Sequence, residues 1–452
     1  MTPERRREII EALRRGAVPR AGLGLLAVGL DRFEEAVDES LDYVAGGRGK
    51  FKAVRGEYGT GKTFFARWLQ ERARAEGFAT SEVQISESET YLHKMHTVYR
   101  AAMERIQTQN TSPGDLTDIL EEWFFRLERD ALDRGDVDET DDEAVEAAVT
   151  EQLEKRLANI TTVPPQFAAS LRAYWAATRE RDRATAQALV AWMAGKPHVG
   201  QDIKREADLK GSLDHFGAIN FLRGLLTLLK GAGYEGLVLV LDEAETLQRV
   251  RSDVREKSLN ALRQLIDYVD EGRFPGLYIL VTGTPAFFDG PQGVQRSEPL
   301  AQRLATDFET APEFDNPRAA QIRLRGLTHD QLVELGTKIR DLIAKESSHP
   351  ERIRTRADDT YIEDLADAVA GEFGDVRIAP RLFLKKLVAD VLDRIDVHES
   401  FDPRQNYDLT FTPQEMTEEE REAVGIDDVE LELESDGSGR LVGEDFDYEA
   451  SS

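Results

Sequence analysis

A glycine-rich segment, GEYGTGKT, spans residues 56–63 and restricts the fold of this 452-residue chain more than any other stretch. It follows FKAVR (51–55), whose alternation predicts a strand, and it leads into TFFARWLQERARAEG, whose apolar spacing predicts a helix. The pattern G-x-x-x-x-G-K-[ST] between a strand and a helix is typical of a loop whose backbone N–H groups surround phosphates. The sequence therefore predicts a nucleotide-binding loop made of Gly56, Glu57, Tyr58, Gly59, Thr60, Gly61, Lys62 and Thr63.

Two carboxylates, Asp242 and Glu243, follow the apolar run GLVLVL, which predicts a buried parallel strand. Ligands of parallel α/β sheets bind at the carboxyl ends of the strands. We expect Lys62 to reach the β- and γ-phosphates of ATP, and Thr63 and Asp242 to hold Mg²⁺. Glu243 is the candidate base that polarises the attacking water. Glu245 continues the motif, and we expect it to be structural or to face a partner.

Two threonines lie at the end of the next predicted strand, LYILVTG (277–283), and are candidate sensors of the nucleotide. Either Thr282 or Thr284 could orient the attacking water. The alternative for each is a local turn hydrogen bond before Pro285.

A candidate arginine lies farther along the chain, in the segment GDVR. Arg377 precedes a helix that is predicted to begin at Pro380, a residue type favoured at the first helical position. It could contact the γ-phosphate and report the nucleotide state, and Arg381 is the second candidate. An arginine in a solvated helix cap is the alternative.

Strands alternate with helices on both sides of a long helical stretch, which predicts an α/β fold with a parallel sheet. The predicted strands cover 51–55, 80–86, 236–245, 277–283 and 321–325, and the predicted helices include 3–15, 31–45, 213–230, 253–271, 328–346, 358–371 and 380–396. We divide the chain into N-terminal helices with a linker (1–50), a core (51–86 and 211–326), an all-helical insertion (87–210), a helical lid (327–400) and an acidic, disordered tail (401–452).

Composition excludes several classes of protein. The chain has no Cys, so neither disulfides nor thiolate metal sites are available, and a cytoplasmic location fits best. No stretch is apolar for long enough to cross a membrane. The net charge of −28 is concentrated in 128–154 and 415–452, so the remaining chain carries only −5. We expect the acidic tail to be a solvated spacer, with mimicry of nucleic acid as the alternative.

The motifs GEYGTGKT, LVLDEAE, LVTGTP, PLAQRL and GDVR, in that order, resemble AAA+ ATPases of the origin-recognition type. The N-terminal run RREIIEALRRGAVPRAGLGLLAVGLDRF, leading into the phosphate loop, is similar to the ATP-binding proteins of BREX-type phage-defence systems. The resemblance covers about residues 5–86 and 213–400. It implies an AAA+-like P-loop ATPase that acts beside other defence proteins and has DNA as a candidate partner.

The same resemblance implies roles for further residues. The linker residues Val18 and Pro19 would lie near the adenine. Arg303 or Arg296 would reach into the site of an adjacent subunit if the chain forms a homo-oligomer, and an ordinary surface arginine is the alternative. Two departures are the acidic tail, which stands where origin-recognition relatives carry a winged-helix domain, and the insertion 87–210.

Three functions remain open on the sequence. The first is a molecular-switch ATPase in which ATP binding closes a lid on the core. The second is a DNA-binding adaptor whose nucleotide site is structural. The third is a signalling NTPase whose insertion docks other proteins.

Overall fold

A five-stranded parallel sheet forms the centre of the computed structural model, which describes residues 2–109, 113–114, 116–133, 141–159, 164–211, 213–373 and 380–409. The strands are β1 (Lys50–Arg55), β2 (Ala79–Gln84), β3 (Leu237–Asp242), β4 (Leu277–Gly283) and β5 (Gln321–Arg323). Their order across the sheet is β2-β3-β4-β1-β5, and all neighbours are parallel. The predicted α/β class is therefore confirmed, and the fold is that of a P-loop NTPase.

Helices precede, connect and follow the strands. Before β1 lie α1 (Pro3–Arg14), α2 (Leu23–Leu26) and α3 (Asp31–Ala45), and α4 (Lys62–Ala75) joins β1 to β2. Between β2 and β3 lie α5 (Met95–Met103), α6 (Leu116–Leu132), α7 (Asp142–Asn159), α8 (Pro165–Arg179), α9 (Arg183–Met193), α10 (Gln201–Glu206) and α11 (His215–Gly231). The described part of 87–210 contains no strand, and its residue Gln107 forms only an isolated bridge with Thr80.

The second half of the sheet is followed by a helical region. Helix α12 (Ser252–Asp270) joins β3 to β4, and α13 (Pro285–Asp289) and α14 (Glu298–Leu304) lie between β4 and β5. After β5 come α15 (His329–Glu346), α16 (Pro350–Arg356), α17 (Asp359–Phe373), α18 (Pro380–Lys385), a π-helix (Lys386–Leu392), α19 (Asp393–Val397) and α20 (Pro403–Asn406). We refer to α15–α19 as the C-terminal helices.

Alternation along the central strands divides the interior into two cores. Leu237, Leu239 and Leu241 of β3 pack with α5, α11 and α12 on one face of the sheet. Val238 and Val240 point to the other face and pack with α3 and α4. Because both faces are covered, β3 and β4 are buried along their whole length, as their continuous apolar runs predict. The helix that follows the phosphate loop is thereby fixed against the sheet.

The secondary structure differs from the sequence predictions at several places. Strand β3 ends at Asp242 rather than continuing to residue 245, because Glu243 adopts a left-handed backbone conformation with φ +60°. The predicted helix 380–396 contains the π-helix, and α16 was not predicted. These features depend on the backbone dihedral angles of a few residues, which the spacing of hydrophobic residues does not predict.

The beginning of the predicted disordered tail is ordered. Helix α20 lies within it, and Arg404 forms a 2.6 Å ion pair with Asp358. The hydroxyl of Tyr407 donates to Asp390 across 3.2 Å. The prediction of disorder is therefore wrong for residues 401–407, and residues 410–452 lie outside the described residues.

Helix α1 packs on the C-terminal helices. Arg14 forms a 2.6 Å ion pair with Asp393, and Arg7 lies 3.5 Å from Glu346. The apolar side of α1, which includes the buried Ile9, Ile10 and Leu13, completes the contact. Among the described helices, none is both long enough and apolar enough to cross a membrane.

Candidate functional site

The phosphate loop joins the end of β1 to the start of α4. Gly61 has φ +91° and immediately precedes Lys62, the first residue of α4, so the loop turns directly into the helix N-terminus. A side chain at Gly56 would collide with the Thr60 hydroxyl. The Thr60 hydroxyl instead donates to the Glu57 carbonyl across 2.8 Å. The two glycines are thus required by a left-handed turn and by a close approach.

The side chain of Lys62 is folded back over the loop. Its ammonium donates to the carbonyls of Gly56 at 2.9 Å and Glu57 at 3.2 Å, and it lies 4.9 Å from the centre of the Tyr58 ring. The nearest carboxylate is that of Glu245, whose Oε1 lies 3.7 Å from Nζ. Lys62 therefore lies within the loop, where a phosphate bound by the backbone N–H groups would meet it.

Asp242 is held by two hydroxyl groups. Thr63 donates to Oδ2 across 3.1 Å, and Thr282 donates to Oδ1. The carboxylate is 4% exposed, and burial raises the pKa of Asp242, while the hydrogen bonds from Thr282 and Thr63 oppose that rise. The start of α4 and the ends of β3 and β4 are thereby joined at one carboxylate.

The strand order explains why these residues meet. Strand β4 lies between β1 and β3, and Val54 of β1 is opposite Thr282 of β4 in the sheet register. The carboxyl ends of all three strands therefore lie at one edge, with Thr282 between the phosphate loop and Asp242. Of the two candidate sensors, the structure brings Thr282 to the carboxylates.

Glu243 follows Asp242 in the left-handed conformation. Its backbone N–H donates to the Thr282 hydroxyl across 3.0 Å, and its side chain accepts a 2.8 Å hydrogen bond from the amide of Gln84. Gln84 is the last residue of β2 and was not among the predicted site residues. Its position at the end of the neighbouring strand is the signal that could have found it.

Glu245 lies inside the protein beside the phosphate loop. Its side chain is 6% exposed, and neither carboxylate oxygen has a hydrogen-bond partner among the described residues. Burial raises the pKa of Glu245, and the nearby Lys62 opposes the rise. Of the two roles expected for Glu245, structural or facing a partner, this buried position favours the structural one.

Thr284 has a local role. It is the N-cap of α13, where its hydroxyl accepts from the Phe287 backbone N–H at 3.3 Å. This is the turn hydrogen bond that was the alternative to a sensor role.

Of the four candidate arginines, two lie in ion pairs, one lies on α18 and one lies outside the described residues. Arg303 contacts Asp267 at 2.5 Å, and Arg296 contacts Glu256 at 3.1 Å, both on α12 of the same chain. Arg381 lies on α18, where its Cγ would be 3.3 Å from a Cβ at Gly16. Arg377 lies outside the described residues.

The linker of residues 16–30 contacts α4. Arg67 donates to the carbonyl of Val18 across 2.8 Å, and Glu71 accepts from the backbone N–H groups of Gly22 and Leu23 at 2.6 and 2.7 Å. Pro19 is buried and Val18 is half-buried against the core formed by α3 and α4. Neither Arg67 nor Glu71 was predicted, because the contacts join residues about 49 positions apart.

The donor set at Asp242 suits a magnesium ion that shares its coordination with phosphates. Among the described residues, no group of three or more His, Cys, Asp or Glu side chains could hold a metal. Asp242 and Thr63 nevertheless offer a carboxylate and a hydroxyl oxygen, and Mg²⁺ is commonly bound by one or two protein oxygens together with substrate phosphates. The residues present therefore fit Mg²⁺ accompanying a nucleotide.

Comparison with known proteins identifies the family. No curated protein gives a match to the chain. The family described as BREX system ATP-binding protein BrxC/D matches residues 1–411, which include every described element of the site. This chain therefore belongs to the BrxC/D family of BREX system ATP-binding proteins.

Proposed function

We propose that this BREX protein is a Mg²⁺-dependent ATPase that acts as a switch. The observation that carries the proposal is the position of Asp242, which is held between Thr63 of the phosphate-loop helix and Thr282 of the neighbouring strand. Any buried aspartate needs hydrogen-bond donors, and here one donor is Thr63 of the phosphate loop and the other, Thr282, also binds the backbone N–H of Glu243. In this position it is linked to the loop that contains Lys62.

The protein groups have separate tasks in the proposed reaction. Lys62 leaves the carbonyls of Gly56 and Glu57 and pairs with the β- and γ-phosphates. Glu243 accepts a hydrogen bond from the attacking water and orients it towards the γ-phosphate. Thr282 fixes the Glu243 backbone and the Asp242 carboxylate together, so that base and metal ligand keep a constant spacing.

Mg²⁺ would be held by Thr63 and Asp242. When bound, it neutralises charge on the phosphate oxygens. The carboxylate is already oriented by two hydroxyl donors, so little side-chain freedom is lost when the ion binds. The site is thus arranged in advance for the cation.

The switch would act through the C-terminal helices, which we propose to be a lid. The linker lies between α4 and these helices, so a nucleotide near Val18 would contact both.

Other proteins of the BREX system are the proposed partners, DNA is a candidate partner, and the cytoplasm is the proposed location. Arg303 or Arg296 would act in an adjacent subunit only after leaving Asp267 or Glu256.

The direct test is phosphate release from ATP by the full chain, with Mg²⁺ and with a chelator. We expect hydrolysis that requires Mg²⁺, and ATP binding without hydrolysis under every condition would leave a structural nucleotide site.

The mass of the particle in solution, measured with and without ATP, tests whether the chain forms an oligomer. A nucleotide-dependent assembly supports a role for Arg303 or Arg296 in an adjacent subunit, and a monomer throughout removes it.

A duplex DNA titration at several salt concentrations tests the nucleic-acid partner. Binding that weakens steeply with salt would indicate contacts to phosphates, because each contact releases counterions. Absent binding at low salt would exclude DNA as a direct partner of the isolated chain.

A further inference from the structure

Two residues of the phosphate-loop helix hold the linker. Arg67 and Glu71 are four residues apart on α4 and therefore lie on one face of the helix. Arg67 binds the Val18 carbonyl, and Glu71 receives the N–H groups of Gly22, Leu23 and, at 3.2 Å, Gly24. These three N–H groups lie at the start of the short helix α2 and have no partner within that helix. Glu71 therefore satisfies donors that would otherwise need water.

Arg67 is also anchored to the sheet. Its guanidinium makes two hydrogen bonds of 3.0 Å to the carboxylate of Glu82 on β2. The side-chain amide of Gln70 donates a further hydrogen bond to the same carboxylate at 3.3 Å. The guanidinium has a planar set of donors, so it can pair with a carboxylate and still reach a carbonyl. The Val18 carbonyl is thereby fixed to the sheet through one side chain.

The other side of the linker touches the C-terminal helices. Lys338 of α15 donates to the Ala27 carbonyl across 3.5 Å, and a side chain at Gly29 would collide with Gln331. Gly16, with φ +66°, lies against Arg381 of α18. The linker is therefore enclosed between α4 and the C-terminal helices, and α4 supplies the charged contacts.

We propose that Arg67 and Glu71 are positioning residues that fix the base-binding part of a purine nucleoside triphosphate site. The proposal rests on the proposed function, in which the nucleotide lies near Val18, and it places the base of that nucleotide beside Val18 and Pro19. Lys62 and Arg67 lie on one continuous helix, about 8 Å apart along its axis. That helix therefore sets the spacing between the phosphate loop and the linker, and it does so through Arg67 and Glu71.

The experiment compares two ligands that share phosphates and differ in the base. ATP and inorganic tripolyphosphate are titrated into the full chain and into the variants Arg67→Lys and Glu71→Gln. Lysine keeps a positive charge beside Glu82 but lacks the planar donors needed to reach Val18 as well, and glutamine keeps the shape of Glu71 without its charge. The control is Arg72→Ala, because Arg72 lies on the same helix but pairs with Asp38 of α3 at 2.7 Å.

We expect the dissociation constant for ATP to rise about tenfold in Arg67→Lys and in Glu71→Gln. This factor corresponds to the loss of one hydrogen bond to a charged group. The constant for tripolyphosphate should change by less than about twofold, and Arg72→Ala should alter neither. The temperature of unfolding shows whether each variant remains folded.

Two results would overturn the inference. Equal weakening of both ligands would mean that Arg67 and Glu71 only stabilise the loop, and unchanged ATP affinity would mean that the linker they hold is not the base site. The proposed function fails in a different way: the unaltered protein would then bind neither ATP nor tripolyphosphate, or would bind ATP without hydrolysing it.

Discussion

The side-chain amide of Gln84 donates a 2.8 Å hydrogen bond to the carboxylate of Glu243. Gln84 is the last residue of β2 and lies opposite Asp242, the last residue of the neighbouring strand β3. Glu243 directly follows Asp242. The candidate base is therefore held towards β2. A water beside the γ-phosphate would have to compete with Gln84 for the same carboxylate.

Replacing Gln84 by Ala should raise the basal rate of ATP hydrolysis. Because this hydrogen bond is exposed to solvent, we assign it about 1 kcal/mol, less than a buried bond to a charged group, and expect an increase of roughly fivefold with ATP affinity unchanged. Steady-state phosphate release measures the rate. A loss of hydrolysis would show instead that Gln84 holds Glu243 in its active position, and Gln107→Ala, outside the site, is the control.

Replacing Glu243 by Gln should preserve ATP binding and reduce hydrolysis by a factor of about 100 or more, because the amide is a poor base. Binding is followed by calorimetry and turnover by phosphate release. Glu235→Gln provides the matched control, since Glu235 precedes the other end of β3 and pairs with Lys230 at 2.9 Å. Normal hydrolysis by the Glu243 variant would show that another group activates the water.

Replacing Lys62 by Ala should weaken ATP binding by about tenfold or more, because an ammonium paired with phosphates is lost. The exposed Lys257 provides a matched Lys→Ala control. Equilibrium binding of ATP is the measurement. An unchanged affinity would contradict the assignment of the loop.

Thr282, near the end of β4, and Thr284, directly after it, should respond differently to substitution by Val. Thr282→Val removes the donor to Asp242 and the acceptor of the Glu243 N–H, so hydrolysis should fall by about 10- to 100-fold. Thr284→Val removes only a helix cap and should lower the free energy of unfolding by about 1 kcal/mol. Parallel measurement of turnover and urea unfolding separates the two roles. Equal losses of turnover would contradict them.

Lys52 should make protein stability depend on alkaline pH. The side chain is 2% exposed, and burial lowers the pKa of Lys52 to about 8, with Lys50 and Arg318 acting in the same direction. Between about pH 8 and pH 10 the unfolded chain still binds the proton that the folded chain has released, so stability rises with pH through this interval. Below that interval both states are charged, and the cost of burial is fully present.

The measurement is the free energy of unfolding of the unaltered protein minus that of Lys52→Met. This difference should increase by roughly 3 kcal/mol across the interval. Lys257→Met serves as the exposed control and should show no such slope. A constant difference for Lys52→Met would show that the pKa of the buried ammonium is not lowered.

Local pattern was sufficient for the parts of the site that lie within one strand–loop–helix unit. The phosphate loop, strand β4 and the carboxylates at the end of β3 all lie where the sequence predicts them, because glycine spacing and apolar runs act over a few residues. The same information could not separate Thr282 from Thr284. Both lie at the end of the same strand, and only their contacts distinguish a residue that binds Asp242 from one that caps a helix.

The sequence by itself therefore determined the α/β class, the phosphate loop and the pair Asp242 and Glu243. Only the tertiary structure decided that β4 lies between β1 and β3, that Gln84 meets Glu243, and that Glu245 faces Lys62. It also decided that Arg67 holds the linker at Val18. The physical reason is that such contacts join residues far apart in the chain, and strand order and register, which local spacing does not encode, bring them together.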